Sequence, residues 1–545
     1  MKKVTFAGIA IISIALITSC KPAANNEEKS EMQKKTEEFP MVELSSNLIN
    51  HLSKREKAII PILIEIADIM DNLFWKQTFG DKTELDTIND KWTKEFVKIN
   101  YGPWERLKEN KSFVEGYGKK PDGAQYYPID ITREEYDVYE NPDKGSLYTV
   151  LRRDDNGNLI TIWYRDEYKE EINKVCHLLD KAIELADDEG FKTYLIERKK
   201  AFQTDDYFAS DMVWMDMKES KIDFIVGPIE NYDDKFNEAK ASYEAFILLK
   251  DEERSKKLEK FVGMLPQLQK ELPCEPQYKT FVPGTSSDLN VYDAVYYAGD
   301  CNAGSKSIAI NLPNDDRVQI AKGARRLQLR NSMEAKFNKI LLPIGKLVLE
   351  PSLHKNLKFD AFFWNVTFHE VAHGLGIKET INGKGSVDDA MKTEKTSWEE
   401  AKADILGLFM VCSLIEKGEI TNITVEDAIT TYIAGILRSV RFGASSSHGK
   451  ANMMCYNYME QAGAFNKNDD GLYHIDFEKA KESINSWSTL VIKTQGEGDF
   501  EFAKKYREEN GGINATLQCD LDKINSAGIP RDIRFNQGVK VLGIK

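Results

Sequence analysis

Residues 363–375 read FWNVTFHEVAHGL, and the two histidines in that run limit what the chain can fold into. On an α-helix, His369 and His373 lie four residues apart, about 40° from one another around the axis, so both imidazoles can meet one ion. Glu370, one position past the first histidine, then reaches a water beside the metal rather than the metal itself. The HExxH pattern predicts a helix carrying two zinc ligands and a general base.

A tetrahedral catalytic zinc takes a third protein ligand and keeps one position open. Glu400 stands 27 residues after His373, in Thr396-Ser397-Trp398-Glu399-Glu400-Ala401-Lys402-Ala403-Asp404. Thr396 or Ser397 is expected to cap a helix there, with Ile405 to Ile415 as its core face. Glu400 and Asp404 share one side of that helix. The pairing lets Glu400 bind the metal while Asp404 accepts the outer N–H of a ligating histidine and fixes its tautomer. The expected centre is therefore two helices facing each other across one ion.

The rest of the chain is consistent with a large folded body. Of 545 residues, 41% are hydrophobic, enough for two or more packed lobes. The net charge of −14 argues against a nucleic-acid partner, which needs clustered Lys and Arg. Ser53 to Gln77 carries an apolar stripe at helical spacing, and Glu167 to Ala201 reads as one or two further amphipathic helices. Leu147–Arg152 and Leu159–Tyr164 flank Asp154-Asp155-Asn156-Gly157, a hairpin signal. Ser305 to Asn311 alternates into Leu312-Pro313-Asn314, a short strand stopped by proline. Arg317, Arg325 and Arg326 read as solvated helix charges. Cys176, Cys274, Cys301, Cys412, Cys455 and Cys519 are scattered, which predicts neither a cysteine metal site nor a disulfide framework.

The first twenty residues read as a targeting signal. Lys2 and Lys3 precede a mostly apolar 16-residue stretch, Val4 to Ser19, shorter than the roughly 20 residues a spanning helix needs. It ends in Ile17-Thr18-Ser19-Cys20, which resembles a bacterial lipoprotein signal in which the cysteine is lipidated. Lys21 to Glu38 is polar and charged, the composition of a tether.

Four ordered segments resemble the dipeptidyl peptidase III family. Glu399-Glu400-Ala401-Lys402-Ala403-Asp404 matches its Glu-Glu-x-x-Ala-acid helix. Glu230-Asn231-Tyr232-Asp233, followed by Tyr243-Glu244-Ala245-Phe246, is similar to its segment bearing substrate-amine carboxylates and a catalytic tyrosine. Ile310-Asn311-Leu312-Pro313-Asn314 is similar to its groove-lining strand, and His448 falls where the family has a second active-site histidine. The resemblance implies that Glu230 and Glu244 hold the substrate ammonium and that Asn311 and Asn314 bond a peptide laid alongside as an extra strand. It implies that Tyr232 and His448 donate to the oxyanion, and that Glu399 and Asp404 stand behind the metal ligands. Two departures are visible. Most members have one more residue between the zinc histidines, and many carry an arginine where this chain has Asn452.

The expectation is an α+β chain, predominantly α, with two lobes either side of a cleft. Residues 1–19 form the signal and 20–45 a polar tether. Residues 46–250 and 285–335 form a first lobe with the β portion and groove, and 251–284 with 336–545 a helical zinc lobe. The expected activity is release of dipeptides from free N-termini of oligopeptides, with one zinc per chain. Cys20 is expected to anchor the chain by lipid at a bacterial envelope membrane, the outer one by the Lys21 that follows it. An HExxH endopeptidase or aminopeptidase, or a non-catalytic peptide-binding lipoprotein, stays open from the residues.

Overall fold

The structure, a computed structural model, describes residues 29–283 and 288–544. The signal segment and the lipidation residue Cys20 lie outside the described residues. The polar stretch that follows is not a tether from residue 30 onward. Ser30 caps a helix, α1 (Glu31–Glu37), by accepting from Gln33 N. Beyond it Met41–Glu43 pairs in parallel with Arg534–Asn536 near the C-terminus. Phe39 is buried against Phe96, with ring centroids 6.0 Å apart. A few anchoring side chains dock this segment, which its overall polarity conceals.

The first lobe is built on α2 (Lys54–Thr78), which opens with a reciprocal cap: Glu56 N donates to Ser53 Oγ at 3.1 Å, and Ser53 N donates to the Glu56 carboxylate at 2.6 Å. Its apolar stripe, including Ile60, Leu63, Ala67, Met70 and Leu73, is fully buried. Each of the large side chains contributes about 1.5–3 kcal/mol through burial. The stripe packs on a five-stranded sheet of β1 (Ile222–Glu230), β2 (Ser242–Lys250), β3 (Asp288–Gly299), β4 (Ala309–Leu312) and β5 (Arg325–Leu329). The spatial order is β1-β2-β3-β5-β4, antiparallel except for β3 with β5. Strand β2 is buried almost throughout, so it reads as the continuous apolar run Ala245 to Leu249 rather than an alternation. The two edge strands curl towards one another, and Asn314 Nδ2 donates to Ile229 O at 3.2 Å across the gap. At the end of β3, Gly299 has φ +73, and a Cβ there would meet Tyr243 O at 2.2 Å. Only glycine lets the chain turn this tightly against β2.

The predicted hairpin is present, with Thr149–Arg153 antiparallel to Leu159–Trp163, and so are the helices Lys169–Leu185 and Glu189–Thr204. Arg325 and Arg326 correct the sequence reading, since both lie on β5 rather than on a helix. Arg325 is buried between Asp223 (3.2 Å) and Asp288 (3.1 Å), and only Arg317 is a solvated charge. All six cysteines among the described residues are free.

The second core is helical and holds α3 (Phe359–Ala372), α4 (Lys395–Glu416) and α5 (Ser447–Gln461). The lobe boundary drawn at residue 545 is corrected. Residues 534–544 return to the first lobe, where Arg534–Asn536 joins Met41–Glu43 and Leu542 is buried in the first core. Arg534 reinforces the return through Glu95 at 3.0 Å.

Candidate active site

Helix α3 is apolar on nearly every side, and its last turn carries the HExxH residues. It ends at Ala372, with His373 as a C-cap still in αR geometry (φ −55, ψ −30). Lys378 Nζ donates to the His373 carbonyl at 2.8 Å, placing a cation on the negative end of the helix. Helix α4 crosses α3 at close range because of Gly407, where a Cβ would lie 2.8 Å from His369 N. Gly407→Ala is expected to push the helices apart, costing about 1–3 kcal/mol and weakening metal binding. Denaturant unfolding with a zinc titration checks this, and an unchanged variant on both counts would show that the crossing distance does not set the site. Thr396 and Ser397 are not the caps expected of them. The N-cap is Glu394, and Ser397 lies within the first turn.

The crossing brings the ligand atoms together. Glu400 Oε2 lies 3.3 Å from His369 Nε2, 3.9 Å from His373 Nε2 and 3.1 Å from His448 Nε2. The outer ring nitrogens are held from behind: His369 Nδ1 bonds Asp404 at 2.7 Å, and His373 Nδ1 bonds Glu399 at 3.0 Å. Donation from Nδ1 leaves each Nε2 with its lone pair aimed inward.

A further layer, which the sequence reading missed, braces these carboxylates. Lys402 is completely buried and pairs with Glu399 at 2.8 Å, and Asn452 Nδ2 donates to Asp404 at 2.6 Å. Burial opposes ionisation of Glu399, but its bond to His373 and the charge of Lys402 hold its carboxyl down at about 2. Burial draws the Lys402 ammonium down to about 8 against the pull of Glu399. The spacing Glu399 to Lys402, one helical turn, was the available signal.

These residues fit a zinc ion. Glu400 Oε2 is buried and has no hydrogen-bond partner, a costly state for a carboxylate unless a cation completes it. A tetrahedron with bonds of about 2.0 Å has edges of about 3.3 Å, matching the His369–Glu400 separation. Of the donors expected from the sequence, His369 and Glu400 fall in the group whose atoms lie within 4.8 Å of one another, and His373 Nε2 stands 3.9 Å from Glu400. His448 joins them at the same point.

Glu370 lines a cavity of about 260 Å³ together with His369, His448, Asn452, and Ile308 and Ala309 of the first lobe. The cavity is thus walled by both lobes. A larger cavity, about 800 Å³, lies in the first lobe behind Leu312–Arg317. It borders Asn314 but contains no metal-site residue, so the smaller one is the candidate reaction site.

The amine-binding candidates gather at the far end of β4. Glu230 ends β1, Tyr232 follows it and is exposed, and Asn314 bonds Ile229 beside Glu230. Asn311 is exposed on the edge strand, opposite Arg326. Glu244 is buried on β2, where burial, reinforced by Asp300 and Glu230, raises its carboxyl well above the usual range. Burial also raises Glu230, against a bond from Asn314, and lifts Asp300 to about 6. The neighbouring Asp233 differs because Arg106 (3.0 Å) and Lys120 (2.6 Å) neutralise it. Glu230 and Glu244 are therefore acids short of a cation, while Asp300 shares Arg106 with Asp233, at 3.8 Å. Asp300 was missed, since nothing local marks it beyond the glycine before it.

Comparisons with known proteins agree with this arrangement. The profile of peptidase family M49 matches residues 134–402. The structure of DPP III from Caldithrix abyssi superposes with a TM-score of 0.87 at 34% identity, covering 93% of this chain and 99% of that one. Dipeptidyl-peptidase III from Corallococcus sp. strain EGB gives a TM-score of 0.74 at 32% identity, covering 93% and 96%. The protein named Nudix hydrolase 3 of Arabidopsis thaliana is 29% identical over 93% of this chain and 74% of its own length.

Proposed function

The chain belongs to the dipeptidyl peptidase III family of zinc metallopeptidases, peptidase family M49, and from that premise we propose that it releases dipeptides from the free N-termini of oligopeptides, using one zinc held by His369, His373 and Glu400. The observation that supports an exopeptidase is a single segment linking the metal cavity to the acid cluster. Strand β4 starts at the metal cavity with Ala309 and leads to Asn314, which is bonded beside Glu230. Two extended residues span about 7 Å, while Ala309 and Asn314 are five residues apart in sequence, so the dipeptide register is proposed from membership of the family rather than from the length of this strand. A peptide paired with this free edge is held by its backbone. The uncompensated acids Glu230 and Glu244 take its ammonium, with Asp300 beside them, so the amine sets which bond reaches the cavity.

Zinc in this donor set supplies Lewis-acid polarisation and lowers the pKa of water towards neutrality. Glu370 takes a proton from the water that attacks the second peptide carbonyl, and passes it to the departing amine as the C–N bond breaks. Tyr232 and His448 donate to the oxygen on which charge develops. Glu399 and Asp404 keep the two α3 imidazoles in the ligating tautomer.

Mass spectrometry of products from a free and an N-acetylated hexapeptide tests the register. The free peptide is expected to yield dipeptides and the acetylated one to resist cleavage. Equal cutting of both would replace this reading with an endopeptidase.

A lipid anchor on Cys20, at the outer membrane of a bacterial envelope, is proposed from the N-terminal sequence. No helix of the described residues is long and apolar enough to cross a membrane. Cys20→Ser is expected to move the protein to the soluble fraction, and a variant that stayed with the membrane would remove the anchor.

A further inference from the structure

Given the peptidase activity proposed above, we propose that Arg438 holds the free C-terminal carboxylate of a short oligopeptide, so that the enzyme favours peptides whose chain ends within the metal cavity. Arg438 lines that cavity together with Glu370, His448 and Ile308. Its Nε is buried without a hydrogen-bond partner, and no carboxylate of the described residues forms an ion pair with its guanidinium. Asp532 attracts it from further off, but that acid is already paired with Lys336 at 2.9 Å. Burial lowers the guanidinium against this distant pull. Arg438 is a cation short of an anion.

The local structure aims it at the cavity. The helix Val425–Ser439 opens with a reciprocal cap, in which Asp427 N donates to Thr424 Oγ1 at 3.2 Å and Thr424 N donates to the Asp427 carboxylate at 3.0 Å. Asn365 Nδ2 on α3 donates to Ala428 O at 3.0 Å, which ties this helix to the one carrying the metal ligands. Gly435 and Arg438, three positions apart, share a face, and both line the cavity. The guanidinium lies over Phe362 of α3, 5.6 Å from the ring centroid, a contact that uses none of its N–H groups. Arg441, three residues on, is the contrast: its nitrogens bond Asn525, Pro530 O and Ile529 O. A cation in the last turn suits the helix dipole, but an exposed lysine would serve as well. A buried guanidinium without a partner costs stability unless a ligand completes it.

The direction of the groove supplies that ligand. The amine end lies at Asn314 and Glu230, and the chain segment beside it runs back to Ala309 and Ile308 at the cavity. A peptide laid along it sends its carboxyl end past the metal site, to the side where Arg438 stands. Uncompensated acids at one end and an uncompensated cation at the other match the charge order of a peptide zwitterion. Carboxylate is the anion that an arginine fork holds best, through two parallel N–H···O bonds.

Kinetics on four- to six-residue peptides, each with a free and an amidated C-terminus, test the proposal on the zinc-loaded full-length protein. At the length the cavity fits best, amidation is expected to raise KM about 10–100-fold with kcat little changed. In Arg438→Met the two forms are expected to become equal substrates, and Arg438→Lys is expected to keep part of the preference. The wild-type comparison needs no variant, so it decides the matter even where Arg438→Met does not fold. An amidated peptide ending in glutamate separates a terminal carboxylate from an acidic side chain, and it is expected to have the high KM of the other amides. A wild type indifferent to amidation at every length, a preference that persists in Arg438→Met, or full recovery with the glutamate peptide would overturn the inference. Product masses keep it apart from the underlying reading. Dipeptides released equally well from free and amidated peptides would remove only the Arg438 anchor; products of another length, with the preference intact, would remove the dipeptide register and leave the anchor.

Discussion

Replacing Glu370 with glutamine is expected to lower kcat/KM by about 10²–10⁴-fold while leaving zinc content unchanged, a loss of about 3–5 kcal/mol of transition-state stabilisation. The split follows from position. Glu370 is adjacent to a ligand on α3, yet it lines the cavity walled by both lobes, and the buried, partnerless oxygen at the ligand cluster is that of Glu400. Glutamine keeps the shape and cannot take a proton, so the chemistry stops without disturbing coordination. Elemental analysis alongside peptide kinetics reads both effects. Turnover near the wild-type rate would remove Glu370 from proton transfer, and lost zinc would make its role structural.

Glu400→Ala is expected to abolish stable zinc binding and hydrolysis together. Its Oε2 is the point on which the imidazoles converge at 3.1–3.9 Å, so its loss removes a ligand and the only negative charge among them. The effect extends to stability. An ion present at about a thousand times its Kd stabilises the folded state by about 4 kcal/mol, here by joining α3 to α4. Chelation should therefore lower the melting temperature of the wild type and leave that of Glu400→Ala unmoved. A variant that responds to chelator as the wild type does would place the third ligand elsewhere.

Much of this centre was legible from residue spacing. His369 and His373 at i and i+4, and Glu400 and Asp404 at i and i+4, are facts about one helix each, and helical geometry converts them into shared faces. The same holds for the stripe of α2 and the turn residues of the first-lobe hairpin. Periodicity carries this information because each contact is made within a few residues.

Other features depended on contacts between distant segments. Lys402 is a surface residue by composition, yet it is buried because Glu399 supplies its counter-charge where α3 meets α4. Asn452, a departure from the family pattern, bonds Asp404 from a helix 48 positions away. Asp300 becomes an acid of the amine cluster only where Gly299 turns β3 against β2. The polar segment after residue 30 and the last eleven described residues find each other across the length of the chain.

By itself, the sequence determined the family to which the chain belongs and the chemistry to expect of it: a helix with two candidate ligands and a base, and a second helix with the third. The tertiary structure decided how far apart those groups stand, which charges are compensated, and that His448 reaches the same point as Glu400. The physical reason is range. Backbone periodicity fixes which side chains share a face within a turn or two. Burial and electrostatics depend on what a fold packs against that face, and in this chain the packing partners of the site come from residues more than two hundred positions apart, from Glu230 to His448.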